Sequence, residues 1–213
     1  MGVDTDNKST IAYDQRLARW IARPLARTPI SPNMITFVGL VMGLSAAWLF
    51  ARGDATAANW GAALFIAAAW VDHLDGELAR ASGKTSKFGH YFDHAAMVTT
   101  YVTLFVGMGL GLAARGMGDT AVLIGIVAGV AVGAIFGTRL WIESRLGSEA
   151  VVMTPFAGFE VEDILYIVGP ITWFGLLDYF LIVAGIGAPL FLIWTAWDTS
   201  RALRAKSPRS AAP

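Results

Sequence analysis

From Pro29 to Ala51 the chain carries no charged residue. At 1.5 Å per helical residue, that run crosses ~30 Å of hydrocarbon. Five more uncharged runs follow: Ala55–Val71, Ala95–Ala114, Thr120–Thr138, Ile164–Leu177 and Tyr179–Trp197. Six such runs are too many for a water-soluble core, and only 15% of the 213 residues are charged. A soluble domain carries nearer a quarter, and the mean hydropathy is +0.56. The expected fold class is therefore all-α: a polytopic membrane protein with six transmembrane helices and an N-terminal amphipathic surface helix.

The parts of the chain follow from the same pattern. Residues 1–10 are polar and expected to be disordered. Residues 11–28 interleave Leu17, Trp20, Ile21 and Leu25 with Arg16, Arg19, Arg23 and Arg27. Apolar and basic residues at three- to four-residue spacing suit a helix lying on a membrane surface. The alternative is an ordinary solvated arginine face. The first thirty residues lack the apolar core of a cleaved signal peptide. Residues 29–205 form the membrane domain, and 206–213 a basic flexible tail. The fifth run is short, with Pro170 inside it. Fourteen residues fall below the ~20 a crossing needs, so the helix is expected to borrow upstream residues and draw Glu160, Glu162 and Asp163 towards the bilayer.

Lysine and arginine set the orientation. The N-terminal segment holds five, the link between spans two and three holds three, the link between four and five holds two, and the tail holds four. Only Arg52 and Arg115 fall on the opposite loops. The positive-inside rule places both termini and the acidic stretch in the cytoplasm, at a bacterial-type inner membrane. Zero net charge disfavours nucleic acid as a partner, because such partners select a basic surface. The absence of cysteine excludes disulfides, thiolate metal sites and a cysteine nucleophile.

The stretch with chemistry runs from Asp72 to Arg80 and on to Gly89–Met97. On a helix, Asp72, Asp75, Gly76 and Ala79 fall at i, i+3, i+4 and i+7, in one stripe. On the next helix Gly89 and Asp93 stack at i, i+4, after the polar link Ser82–Lys87. Three carboxylates then converge at the end of apolar helices, where an acid costs ~2.5–3.5 kcal/mol at the helix centre and less near the interface. A hard divalent cation with oxygen ligands offsets that cost. Simple pairing with Arg80, Lys84 and Lys87 is the alternative, but it leaves Gly76, Ala79 and Gly89 on the same groove unexplained. Small residues there let a flat ligand approach the backbone.

The pattern D-x2-D-G-x2-A-R-x8-G-x3-D, matched by Asp72, Asp75, Gly76, Ala79, Arg80, Gly89 and Asp93, resembles the CDP-alcohol phosphotransferase family, membrane enzymes of phospholipid synthesis. Pro32-Asn33 after a basic surface helix and the six spans are also similar. The resemblance implies that Asp72, Asp75 and Asp93 bind Mg²⁺ or Mn²⁺. It also implies a nucleotide site formed by Asp72, Gly76, Ala79, Arg80 and Gly89, with Gly76 and Ala79 seating cytidine and Arg80 contacting phosphate. The metal would clamp the diphosphate of a CDP-alcohol donor, a hydroxyl acceptor would attack, and CMP would leave. Membrane lipid is the implied partner, and a homodimer is expected on the same ground.

One position departs. The family pattern ends with an aspartate four residues after Asp93, taken as the base; here it is Met97, and a thioether accepts no such proton. Two replacements stand out. His94 neighbours Met97 on the helix, with an ordinary pKa of ~6.5 suited to base chemistry; the alternative is that it orients Asp93. The Asp93-His94 pair also resembles the choline and ethanolamine phosphotransferase branch. Glu162 is the second candidate, drawn to the membrane face by the short fifth span; the alternative is a solvated helix start. His90, one turn before Asp93, reads as a partner supporting the site, and His73 is a weaker candidate. Arg139, Glu143 and Arg145 read either as contacts to an anionic acceptor or as ordinary cytoplasmic charges. Glycines in spans three and four read as close helix packing. Two rival classes are a CDP-lipid-binding homologue without the base and a small cation-coupled transporter.

Overall fold

The computed structural model describes residues 13–146 and 166–206, and all regular structure among them is helical. The helices are α1 (Tyr13–Leu25), α2 (Pro32–Ala51), α3 (Ala55–Ser82), α4 (Lys87–Leu112), α5 (Asp119–Leu146), α6 (Val168–Trp173) and α7 (Leu177–Lys206). A looser π-type turn, Ala113–Met117, follows α4.

Side-chain caps fix the helix starts. Ser31 accepts from the Met34 N–H (3.4 Å), with Pro32 at the first position of α2, where its missing N–H costs nothing. Asp54 accepts from the Ala57 N–H (2.7 Å) at the start of α3, which holds the Asp54 carboxyl below its ordinary range. Ser86 accepts from the Gly89 N–H (2.9 Å) at the start of α4. α3 ends at Gly83, whose φ of 67° lies in the left-handed region that favours glycine. The short link from Gly83 to Ser86 then turns the chain back on itself.

Four of these helices are long and apolar enough to cross a membrane: Pro32–Ala51, Lys87–Met117, Asp119–Arg145 and Leu177–Arg201. They are apolar on their outer faces as well as inside. Phe37, Trp48, Leu123, Val130, Val183 and Ile193 are all exposed, a pattern that water would penalise and lipid does not. The chain is an integral membrane protein. α3 is not one of the four. Its uncharged half is rich in alanine, and Asp72, Asp75 and Glu77 follow directly. At 28 residues it is nevertheless about 42 Å long, more than the hydrocarbon thickness. The fifth uncharged run is not a single helix. It contains α6, then a turn through Gly175 (φ 73°), and α7 has already begun at Leu177. The upstream residues it was expected to borrow, Glu160, Glu162 and Asp163, lie outside the described residues.

Packing arranges α2 between α3 and α4, each of which packs along α2 far more than on the other. α5 packs on α4, α7 on α5, α6 on α3, and α1 lies along α3. The α2–α4 approach depends on glycine: a Cβ on Gly107 would overlap the Ala47 carbonyl, and one on Gly111 the Phe50 carbonyl. The main core gathers Phe50, Phe65, Leu104, Phe105, Met108 and Leu181, all buried. A smaller one beneath α1 joins Ala22, Leu74 and Leu78. Because α2 occupies the space between them, α3 and α4 leave a cleft floored by α2.

Candidate functional site

Three acids meet in that cleft. The carboxylate oxygens of Asp72 and Asp75 on α3 and of Asp93 on α4 include a set within 4.8 Å of one another. Asp75 is 6% exposed, and Thr36 on α2 donates to its Oδ2 (2.5 Å). Asp93 Oδ1 is buried and has no hydrogen-bond partner. Two bare carboxylates at such a distance repel by about 3 kcal/mol at an effective dielectric of ~20. The donor set is all oxygen, which suits a hard divalent ion. Opposite ligands across Mg²⁺ or Ca²⁺ are ~4–5 Å apart, so the span of the three acids fits one ion. The orphaned Asp93 oxygen supplies a ligand with no competing bond.

The other nucleotide-site candidates sit around this trio in different ways. Gly76 and Ala79 are half-buried on α3. The Arg80 guanidinium lies 3.5 Å from where a Gly76 Cβ would be, and Arg80 Nη2 donates to Glu77 Oε1 (3.0 Å). Glu77 also accepts from Arg19 Nε through Oε2 (3.1 Å). Arg80 is thus held by a carboxylate of its own helix, at the i, i+3 spacing visible in the sequence. Gly89 is packed by protein: a Cβ there would come within 2.9 Å of Asn33 Oδ1. Asn33 and Thr36 are the neighbours that the sequence did not assign to the site. The only sequence signal for Asn33 was its place after Pro32, and Thr36 gave none.

Met97 is half-buried and packed against the main core. It lines a narrow crevice of about 30 Å³ with Asp72, Thr36, Phe65 and Tyr101. His94 is half-buried beside Asp93, one turn after His90 on α4. Its Nδ1 lies 3.0 Å from the His90 carbonyl oxygen, and His90 Nε2 is 3.6 Å from Glu143 Oε2 on α5. Lys87, His90, Tyr91, Leu140 and Glu143 line an open hollow of about 570 Å³. His90, expected to support Asp93, therefore directs its outer nitrogen to Glu143. The Arg139 guanidinium lies over the Phe136 ring (6.0 Å) and that of Arg145 over Trp141 (5.7 Å). His73 stacks on Tyr166 at 6.3 Å. Glu162 lies outside the described residues.

The chain resembles known proteins in sequence and in fold. The family model described as CDP-alcohol phosphatidyltransferase matches residues 29–199. Archaetidylinositol phosphate synthase of Pyrococcus horikoshii is 34% identical over 91 residues, covering 43% of this chain and 47% of that protein. The match thus spans about half of that relative's length. The crystal structure of Mycobacterium tuberculosis phosphatidylinositol phosphate synthase with CDP-DAG bound superposes with a TM-score of 0.64 at 22% identity, covering 93% of this chain and 98% of that one. The same synthase with manganese and citrate gives 0.59 at 23% identity, with 92% of each chain covered. At those identities the likeness is one of fold.

Proposed function

The chain belongs to the CDP-alcohol phosphatidyltransferase family, and from that membership we propose that it transfers a phosphatidyl or head-group phosphate from a CDP-linked donor to a hydroxyl acceptor, releasing CMP, in phospholipid synthesis. The observation that carries this reading is the meeting of Asp72, Asp75 and Asp93 around the unpartnered Asp93 oxygen. The solved relative carrying CDP-DAG favours CDP-diacylglycerol as the donor. The phosphoinositol names of both relatives favour a polyol phosphate acceptor over choline or ethanolamine, for which the Asp93-His94 pair is the supporting feature.

Bound Mg²⁺ or Mn²⁺ would polarise the donor's diphosphate and neutralise the charge that develops as the anhydride opens. Asp72, Asp75 and Asp93 would hold it, with Thr36 fixing the rotamer of Asp75. Gly76 and Ala79 leave room for the cytidine against α3, with Arg80 and Gly89 at the edges of the same site. In the transfer the acceptor oxygen bonds to the phosphorus of the alcohol phosphate. The anhydride bond to CMP breaks, and the acceptor proton passes to a base. His94 is the base we favour among the described residues: a carbonyl accepts only, so Nδ1 carries the proton and Nε2 of the neutral ring has the lone pair. Glu162 remains the second candidate.

α3 would cross through Ala55–Val71 and a fifth crossing would be built around α6, giving six. Both termini and the site would face the cytoplasm of a bacterial-type inner membrane, following the lysine and arginine bias. α1, with Trp20 exposed and Ala18 and Ala22 buried, would lie on the membrane surface, and the chain would pair as a homodimer.

Met97 supports a second reading, in which the protein holds CDP-lipid without turning it over. Purified protein assayed for CMP release against CDP-diacylglycerol and a panel of hydroxyl acceptors separates the two. Divalent-ion-dependent CMP release is the expected result. Tight CDP-lipid binding with no CMP from any acceptor would favour the second reading. Cytidine-independent cation flux in liposomes would favour a transporter.

A further inference from the structure

We propose that His90, His94 and Glu143 form a second cation site, separate from the three aspartates and selective for a transition-metal dication such as Zn²⁺ or Co²⁺. Their ligand atoms lie within 4.8 Å of one another. The donors differ in kind from the aspartate trio: two imidazoles and one carboxylate suit Zn²⁺, Co²⁺ or Ni²⁺, whereas an all-oxygen set suits Mg²⁺. His90 and His94 stand one turn apart on α4, ring centroids 4.5 Å apart, and Glu143 reaches across from α5. The His90 Nε2 to Glu143 Oε2 distance of 3.6 Å is long for a hydrogen bond. It is close to the ~3.4 Å that separates two ligands on a tetrahedral zinc with bonds of 2.0–2.1 Å. The carbonyl of His90 already holds His94 Nδ1, which fixes the tautomer that offers Nε2, the support a metal-bound imidazole commonly has. The hollow beside Ser86, Lys87 and Tyr91 gives a water room to complete the shell.

The consequence for turnover rests on the proposed function: an ion on His94 Nε2 removes the lone pair assigned to the base, so the site is inhibitory. Its existence does not depend on that reading. The test is a Co²⁺ titration of the purified full chain in excess Mg²⁺, followed by visible d–d absorption. One equivalent with a four- or five-coordinate spectrum is expected, bleached by one equivalent of Zn²⁺. His90→Gln and Glu143→Gln should each weaken it roughly tenfold or more, while Asp75→Asn should keep it. No band, a band that Mg²⁺ displaces, or a band lost in Asp75→Asn would overturn the site. So would unchanged Co²⁺ affinity in the His90 and Glu143 variants. If either variant aggregates, the Zn²⁺ and Mg²⁺ competition on the unmodified chain decides alone.

Discussion

Thr36 Oγ1 donates to Asp75 Oδ2 at 2.5 Å, so α2 orients a carboxylate of α3 from the floor of the cleft. Hydrogen bonds to charged groups contribute ~1.5–3 kcal/mol, and residues that position metal ligands change affinity by roughly 10–100-fold. Thr36→Val should weaken divalent-ion affinity by that order, measured by calorimetric titration. Equal affinity in the two proteins would show that Asp75 needs no such support.

Arg19 and Glu77 tie α1 to the far end of α3, beyond the uncharged run. The hydrogen bond from Arg19 holds the Glu77 carboxyl below its ordinary range, and Arg80 adds to this. A lowered folded-state pKa means the stabilisation is complete above the ordinary carboxylate value of ~4.3 and lost as pH falls through the lowered one. Hydrogen-exchange protection in α1, taken relative to the intrinsic amide rate at each pH, should therefore be high near neutral pH and fall under acid. In Glu77→Gln the protection should be lower at neutral pH, with a smaller acid step. An identical pH profile in that variant would separate α1 docking from this ion pair.

His94→Ala should lower turnover at least 100-fold with CDP-donor affinity changed much less, read as kcat against donor Kd. Glu162→Ala is the parallel test of the second candidate. Undiminished rates in both would remove them as bases.

Met97→Asp restores the acid of the family pattern. Packed against the main core beside Asp72, the new carboxylate should cost ~1–3 kcal/mol of stability, seen as a lower Tm. In a His94→Ala background it should recover turnover. No recovery with divalent-ion binding intact would mean that position 97 no longer reaches the acceptor.

Much of this site was legible because helical spacing is a local property. Asp72 and Asp75 at i, i+3 share a face on any helix, and the short Gly83–Ser86 link returns Asp93 to them. The Arg80–Glu77 pair, at i, i+3 on one helix, is local in the same way. The Arg19–Glu77 pair was not legible, because its partners are 58 residues apart and meet only once α1 lies along α3. The His90–Glu143 approach depends on how α4 crosses α5, which no periodicity reveals. The crossing count was less secure for a composition reason: alanine-rich α3 and the Pro170-interrupted fifth run carry weak apolar signals.

In the proposed reaction one cation, held by Asp72, Asp75 and Asp93, grips the donor's diphosphate. Pulsed EPR of Mn²⁺ bound to the purified protein with CDP-diacylglycerol tests this directly. Phosphorus-31 hyperfine coupling is expected in the unmodified protein and should vanish in Asp75→Asn. Bound Mn²⁺ without phosphorus coupling, or coupling unchanged in Asp75→Asn, would contradict it.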